Sequence, residues 1–267
     1  MTGAASQTPG AESGRYVYGV VRGSAATTVV EGLPAVGSAD ARVTHVRHRG
    51  IAAVVSAVSA DRPLGTPDDL RAHAQVLDSL AAAAATVLPF RFGTVLPDEN
   101  AVTDELLAGG YDDFVTALDR LEGSAQFTLK ARYVQDEVLR EVLAERPEAQ
   151  RLRDELNGMP EEAGYYRRIQ LGQLVAEAIA DKRDSDAVEI DRCLAPLSVA
   201  VTPDEPAAAD AVADVSFLVE RERRPAFEQA AEDLARRWHG RIRLRLLGPV
   251  APYAFVTEAM AGFEERR

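Results

Sequence analysis

The sequence predicts an α+β protein of two domains. Short strands rich in β-branched and aromatic residues are interspersed with longer amphipathic helices, glycines break the middle of the chain at Gly109, Gly110 and Gly123, and a fresh strand pattern opens directly after the last of them. At 267 residues there is enough chain for about two ordinary domains and a sizeable core. Hydrophobic residues make up 46% and charged residues 27%, the profile of a soluble globular protein. The expected division is a disordered tail over 1–14, an N-terminal α+β domain over 15–123, a C-terminal α+β domain over 124–257 and a charged tail over 258–267.

The first fourteen residues are small and polar with no apolar stretch, so they predict neither a signal peptide nor an ordered element. Arg15–Arg22 (RYVYGVVR) reads as a strand. Residues 44–58 read as two short strands around Gly50, the second apolar on both faces as a central strand is. A helix then opens at Thr66, whose hydroxyl can cap it. Pro67 suits the first helical position, and Asp68 and Asp69 complement the positive end of the helix dipole. Leu70, His73, Leu77, Leu80, Ala81 and Ala84 follow at helical spacing. In residues 86–100 Pro89 removes a ladder hydrogen bond, which predicts an edge or irregular strand closing the first sheet. Thr103 is expected to open a helical region that resumes through Phe114, Val115, Leu118 and Leu121 and stops at Gly123.

In residues 125–134 Phe127, Leu129 and Ala131 alternate with Thr128, Lys130 and Arg132, the pattern of a half-buried strand. Residues 135–157 are helical with a break at Pro147. Residues 161–183 predict an amphipathic helix with Tyr165, Ile169, Gly172, Ala176 and Ile179 on one stripe, followed by a further helix carrying Ile190, Leu194, Leu197 and Val201. Residues 212–220 predict a strand, and Pro225 opens a helix with Phe227, Ala231, Leu234 and Trp238 on one face, stopped by Gly240. In residues 241–247 Ile242, Leu244 and Leu246 face the core and Arg241, Arg243 and Arg245 face solvent. Strand–helices–strand–helix–strand is the skeleton of a ferredoxin-like unit with an enlarged helical first crossover.

The formal charge of −12 disfavours general binding to nucleic acid or to an anionic membrane surface. The longest apolar run, Leu80–Leu88, is too short to span a bilayer. Cys193 is the only cysteine, which rules out an intramolecular disulfide and a cysteine zinc cage and fits a reducing cytoplasm; near the apolar face of its helix it reads as inert core. His45 and His48, three apart on a strand, point to opposite faces and do not share a metal easily. His73 reads as a packing histidine and His239 as a helix-end cation. The pairs Asp112-Asp113 and Glu161-Glu162 fall at helix starts, where dipole compensation explains them. There is no P-loop, HExxH, GxSxG or strand-borne GxGxxG. No catalytic residues, metal ligands or cofactor site are therefore expected.

Four segments, in order and spacing, resemble the gas-vesicle GvpL/GvpF family: YVYGVV from Tyr16, HAQVLDSLAAAAATVLPFRFGTVL from His73, GYYRRIQLGQLV from Gly164 and LLGPVAPYAFV from Leu246. Residues 87–96, VLPFRFGTVL, are the most specific of these. The family usually carries a tryptophan and a proline after the closing Gly-Pro, where this chain has Val250 and Ala251 and so lacks a large aromatic anchor. The resemblance implies a cytoplasmic, vesicle-associated, non-enzymatic protein of two α+β domains. It further implies that the partners are the small hydrophobic shell protein and other accessory proteins. A shell subunit with an exposed apolar face aggregates unless a partner covers it, which gives such a role a physical reason.

For partner binding the residues singled out are Pro89, Phe90, Arg91 and Phe92, with Lys130 and Arg132 outward on the first strand of the second domain. Aromatics flanking an arginine are typical interface anchors, and Pro89 leaves an edge that a partner strand can extend. The competing structural reading has Phe90 or Phe92 packed inward and Arg91 paired with an acid between the domains. The run Arg221–Arg224 with Arg241, Arg243 and Arg245 is either a solvated, balanced face or a docking site for an acidic segment. Two other functions remain open at this level: a ferredoxin-like regulator binding a small molecule in a closed, partly polar pocket, and an enzyme with converging His, Asp or Glu side chains.

Overall fold

A computed structural model describes residues 13–24, 32–37, 41–59, 62–83, 85–160, 162–204, 208 and 210–259. The expected tails over 1–14 and 258–267 lie outside these residues except for two positions each. The chain is a mixture of helices and two antiparallel sheets and divides into two compact units, Met1–Gln126 with Pro249–Arg267, and Phe127–Gly248. Residues 249–257, assigned from sequence to the second domain, thus cluster with the first unit, and the cut falls at Gln126 rather than Gly123. The reason is local: buried Ala251 and Phe255 pack into the first unit's core, and the amide of Ala254 donates to Gln126 Oε1 at 2.9 Å.

In the first unit β1 (Ser13–Arg22) is central. It pairs with β3 (Ile51–Ser59) through a register shift between Val17 and Gly19, and β2 (Thr44–His48) flanks β3. On its other side run the short strands β4 (Val87–Pro89) and β5 (Val95–Leu96), giving the order β2-β3-β1-β4 with β5 also on β1. A Cβ on Gly19 would lie 2.4 Å from the Leu88 carbonyl oxygen, so β4 reaches β1 only because that residue is glycine. Helix α1 (Pro67–Ala82) covers the sheet with Ala72, His73, Val76, Leu77 and Leu80. Leu70, expected in its core stripe, is 49% exposed: the buried face centres on Asp69, His73, Val76 and Leu80 and leaves Leu70 on its rim in the first turn.

The next helical region starts earlier than Thr103. Asp98 Oδ1 accepts from the Ala101 amide at 2.8 Å, and the segment Ala101–Ala108 winds as a π-helix before α2 (Tyr111–Arg120).

The second unit begins with β6 (Ser124–Tyr133), whose first three residues lie in the first unit, and continues with α3 (Gln135–Glu145) and α4 (Pro147–Leu156), separated at Pro147 as expected. Helix α5 is one continuous element, Tyr165–Leu194, where two helices were expected. Pro196 ends it in a 3₁₀ turn, and Val201 stands in a strand, β7 (Ala200–Asp204), not on a helix face. The stripe expected to be buried is not: Tyr165 is 60% and Ile169 43% exposed, and Gly172 and Ala176 are exposed too. Burial comes instead through Ala178, Asp186, Ile190 and Leu194. The chain then runs through β8 (Ala211–Glu220), α6 (Arg224–Arg237) and β9 (Ile242–Val250), with sheet order β7-β8-β6-β9. Phe127, Phe217 and Phe227 meet at the core of this sheet with ring centroids 5.3–5.4 Å apart. Back in the first unit, α7 (Tyr253–Ala259) closes the described chain.

Candidate partner-binding surface

The segment from Pro89 to Gly93 leaves the sheet at a strand with few ladder bonds of its own. Pro89, without an N–H, sits opposite Gly19 at the end of β4, and the Phe90 amide donates to the Tyr18 carbonyl at 2.8 Å. The chain then turns: the Thr94 hydroxyl donates to the Arg91 carbonyl at 2.8 Å, and Gly93 takes φ +92°, which a residue with a Cβ rarely adopts. Across the turn the Val17 amide donates to the Thr94 carbonyl at 2.9 Å, so both ends of the loop are tied to β1.

The side chains divide. Pro89 is buried, Phe90 and Phe92 are half-buried and Arg91 is exposed. Phe92 packs inward, its ring 5.9 Å from Tyr16 and 5.6 Å from His73, while Phe90 meets Phe114 at 6.1 Å. Arg91 makes no ion pair among the described residues. The inward packing foreseen for one phenylalanine therefore holds for Phe92.

Beneath the loop lies a polar relay. The Gly93 amide donates to the Tyr16 hydroxyl at 3.3 Å, and Tyr16 Oη stands 2.8 Å from His73 Nδ1. Which of Tyr16 and His73 donates in this bond follows the imidazole tautomer, and His73 Nε2 is buried. Burial pushes the His73 pKa down, only partly offset by the Phe90 backbone, and burial raises that of Tyr16, so both stay neutral near pH 7. Tyr18 continues the cluster, with Ser56 Oγ at 3.0 Å and the Val36 amide donating to it at 2.7 Å.

Lys130 and Arg132 belong to the second unit. Lys130 is exposed, whereas Arg132 is held by Asp214 in a two-pronged pair at 2.5 and 2.8 Å. Of the wider arginine set, Arg223 and Arg224 pair with Glu220 and Glu228, and Arg241 with Glu141 and Asp186. That last pair belongs to a network the sequence reading missed. Asp186 accepts from Arg241 at 2.8 Å on both oxygens and from the Tyr133 hydroxyl at 2.6 Å, while Lys182 reaches Glu141 and Glu145. Its paired members lie 37 to 100 residues apart, so no local pattern signals them. Nearby, Tyr133, Gln135, Val138, Ile179, Asp210 and Arg243 line a cavity of about 400 Å³.

The remaining titratable groups are scattered. His48 packs edge-on against Tyr111, the His239 backbone amide donates to the Arg236 carbonyl at 3.3 Å just past α6, and Cys193 receives the Arg237 guanidinium at 3.4 Å. Among the described residues no three His, Cys, Asp or Glu side chains are grouped to hold a metal, and no helix is long and apolar enough to cross a membrane.

The described residues thus form two α+β units, the first of which carries a clamped aromatic–arginine loop. The profile of the family "Gas vesicle synthesis protein GvpL/GvpF" matches residues 14–257. Gas vesicle protein F of Streptomyces sp. (strain CB03234) is 34% identical over 90% of this chain and 98% of its own length, and gas vesicle protein L of the same strain is 29% identical over 90% and 92%. The crystal structure of GvpF from Anabaena sp. PCC7120 shares the fold, with a TM-score of 0.77 at 23% identity, covering 91% of this chain and 98% of that one. The chain belongs to the GvpL/GvpF family, and its role is that of a gas-vesicle accessory protein.

Proposed function

We propose that this protein is a non-catalytic assembly factor that binds the hydrophobic gas-vesicle shell protein in the cytoplasm and holds it for nucleation and growth, together with other accessory proteins. The loop Pro89–Phe92 is its primary contact. The observation that carries this reading is Arg91, an exposed guanidinium on a turn whose two ends and underside are fixed by hydrogen bonds. A turn whose backbone is already fixed loses little backbone entropy on binding, and arginine is among the residue types that dominate interface energetics. The second unit, with its enlarged helical crossover, we read as ferredoxin-like, a further surface for partners.

The test is a pull-down of the shell protein by the full chain, comparing wild type with Arg91→Glu and Phe92→Leu, each checked for folding by circular dichroism. Wild type retains the shell protein, and Arg91→Glu weakens capture about tenfold or more. Phe92→Leu keeps the inward packing and changes it less. Undiminished capture by folded Arg91→Glu removes the loop as the contact. A wild-type chain that captures no shell protein, or normal vesicles in a deletion strain without a paralogue, removes the assembly-factor reading.

A further inference from the structure

The chain carries twelve more acidic than basic formal charges, and most of its described arginines are neutralised by acids. Among the arginines outside these pairs, two stand on one strand. Arg243 and Arg245 on β9 and Lys130 on the neighbouring strand β6 are exposed and make no ion pair among the described residues. The Val134 amide donates to the Arg241 carbonyl at 2.9 Å, just beyond the ends of the two strands. By alternation Lys130 and Arg132 share one face of β6, and Arg243 and Arg245 share one face of β9. Like charges on adjacent strands repel, and of these four only Arg132 is ion-paired among the described residues, to Asp214. The result is a local cationic ladder on an anionic molecule.

We propose that this ladder docks an acidic, extended segment of a partner polypeptide laid along β9. Strand β9 ends the order β7-β8-β6-β9, so one of its edges has no strand partner among the described residues. Side chains at alternate positions of an incoming strand are about 7 Å apart, the spacing of Arg243 and Arg245. Carboxylates at those positions relieve the repulsion that the ladder carries alone. The same charges discriminate. A second copy pairing β9 with β9 sets arginine against arginine and is rejected. A long polyanion or an anionic vesicle extends past the roughly 8 Å over which charge is felt at physiological salt and meets the protein's excess acids. A short acidic strand meets only the ladder. This surface lies in the other unit from Arg91 and stands or falls independently of the shell-protein reading.

The probe is a fluorescent synthetic peptide of alternating glutamate and valine, titrated with the full chain and followed by anisotropy. Binding is expected, weakening about tenfold between about 50 and about 300 mM salt and about tenfold in the double variant Arg243→Glu/Arg245→Glu. The matching lysine–valine peptide is expected not to bind, and Arg91→Glu to leave the titration unchanged. Because both arginines are exposed, Arg243→Gln/Arg245→Gln serves as a folded, charge-neutral check and is expected to lie between wild type and the double reversal. Absence of binding by wild type, equal binding by the charge-reversed variant, or tighter binding of a single-stranded oligonucleotide or anionic vesicles than of the peptide overturns the proposal.

Discussion

Asp69 shows how much one side chain can organise. It is 3% exposed, yet it accepts from the Arg62 guanidinium at 3.0 Å, from the amides of Gly37, Gly65 and Thr66, and from the Thr66 hydroxyl at 2.8 Å. The Thr66 side chain in turn accepts from the Asp69 amide, completing a capping box at the start of α1. Burial works to raise the carboxyl's pKa, but the bonds from Thr66, Arg62 and Gly37 outweigh it and hold the pKa at about 2. A folded pKa below the unfolded one contributes stability that is complete above about pH 4 and is lost as pH falls towards 2; a depression of this size corresponds to about 2 kcal/mol. Asp69→Asn keeps the shape but removes the charge. It is expected to cost about 2–3 kcal/mol at pH 7 and to flatten the stability profile between pH 4 and 2, as read from urea midpoints across that range. An unchanged acid limb in the variant would show that other carboxylates set it. In sequence Asp69 reads as one of two acids on a helix dipole; its neighbour Asp68 is that, exposed and paired with Arg71. Only the fold, by folding Gly37 and Arg62 onto it, tells the two apart.

At the scale of elements, local pattern was a good guide wherever an element's ends carried their own chemistry. Thr66-Pro67 opened α1, Pro147 parted α3 from α4, and Gly50 divided β2 from β3. It failed where the deciding partner is distant. Ile190, Leu194, Leu197 and Val201 keep helical spacing, but β7 exists because β8 pairs with it from Ala200↔Leu218 to Asp204↔Asp214, residues that lie beyond the helical repeat. The candidate loop is similar: proline, aromatics and arginine mark Pro89–Phe92 as unusual, yet that Phe92 points inward depends on Tyr16 and His73, far off in sequence. Helix α5 makes the point testable. Its apolar residues look equivalent in sequence, but Ile169 is 43% exposed and Ile190 1%. Ile190→Ala is therefore expected to cost about 2–5 kcal/mol and Ile169→Ala under about 1 kcal/mol by chemical denaturation. Similar losses at both sites would mean that α5 is covered at its first turns in solution.

The whole molecule adds a constraint that neither residues nor elements reveal. The first unit is discontinuous: its chain leaves at Gln126 and returns at Pro249, so the last segment finishes a structure begun at β1. Ala251 is fully buried and belongs to the same hydrophobic cluster as Tyr16, Tyr18, Val76 and Leu80, and Phe255 is 3% exposed. Linear reading gave this segment to the second domain because it follows β9 directly. Its small, apolar residues carry no mark of which core they join. A chain ending at Gly248 keeps every residue assigned to the second unit and removes part of the first unit's core. Loss of one buried phenylalanine costs about 3–5 kcal/mol, a large share of a domain's stability. The truncated chain is thus expected to unfold in two steps, the first unit at a lower denaturant concentration. Amide exchange should rise in β1, β3 and α1 while β8 and α6 stay protected. If exchange instead rises first in β8 and α6, the closing segment serves the second unit, and the division at Gln126 and Pro249 is wrong.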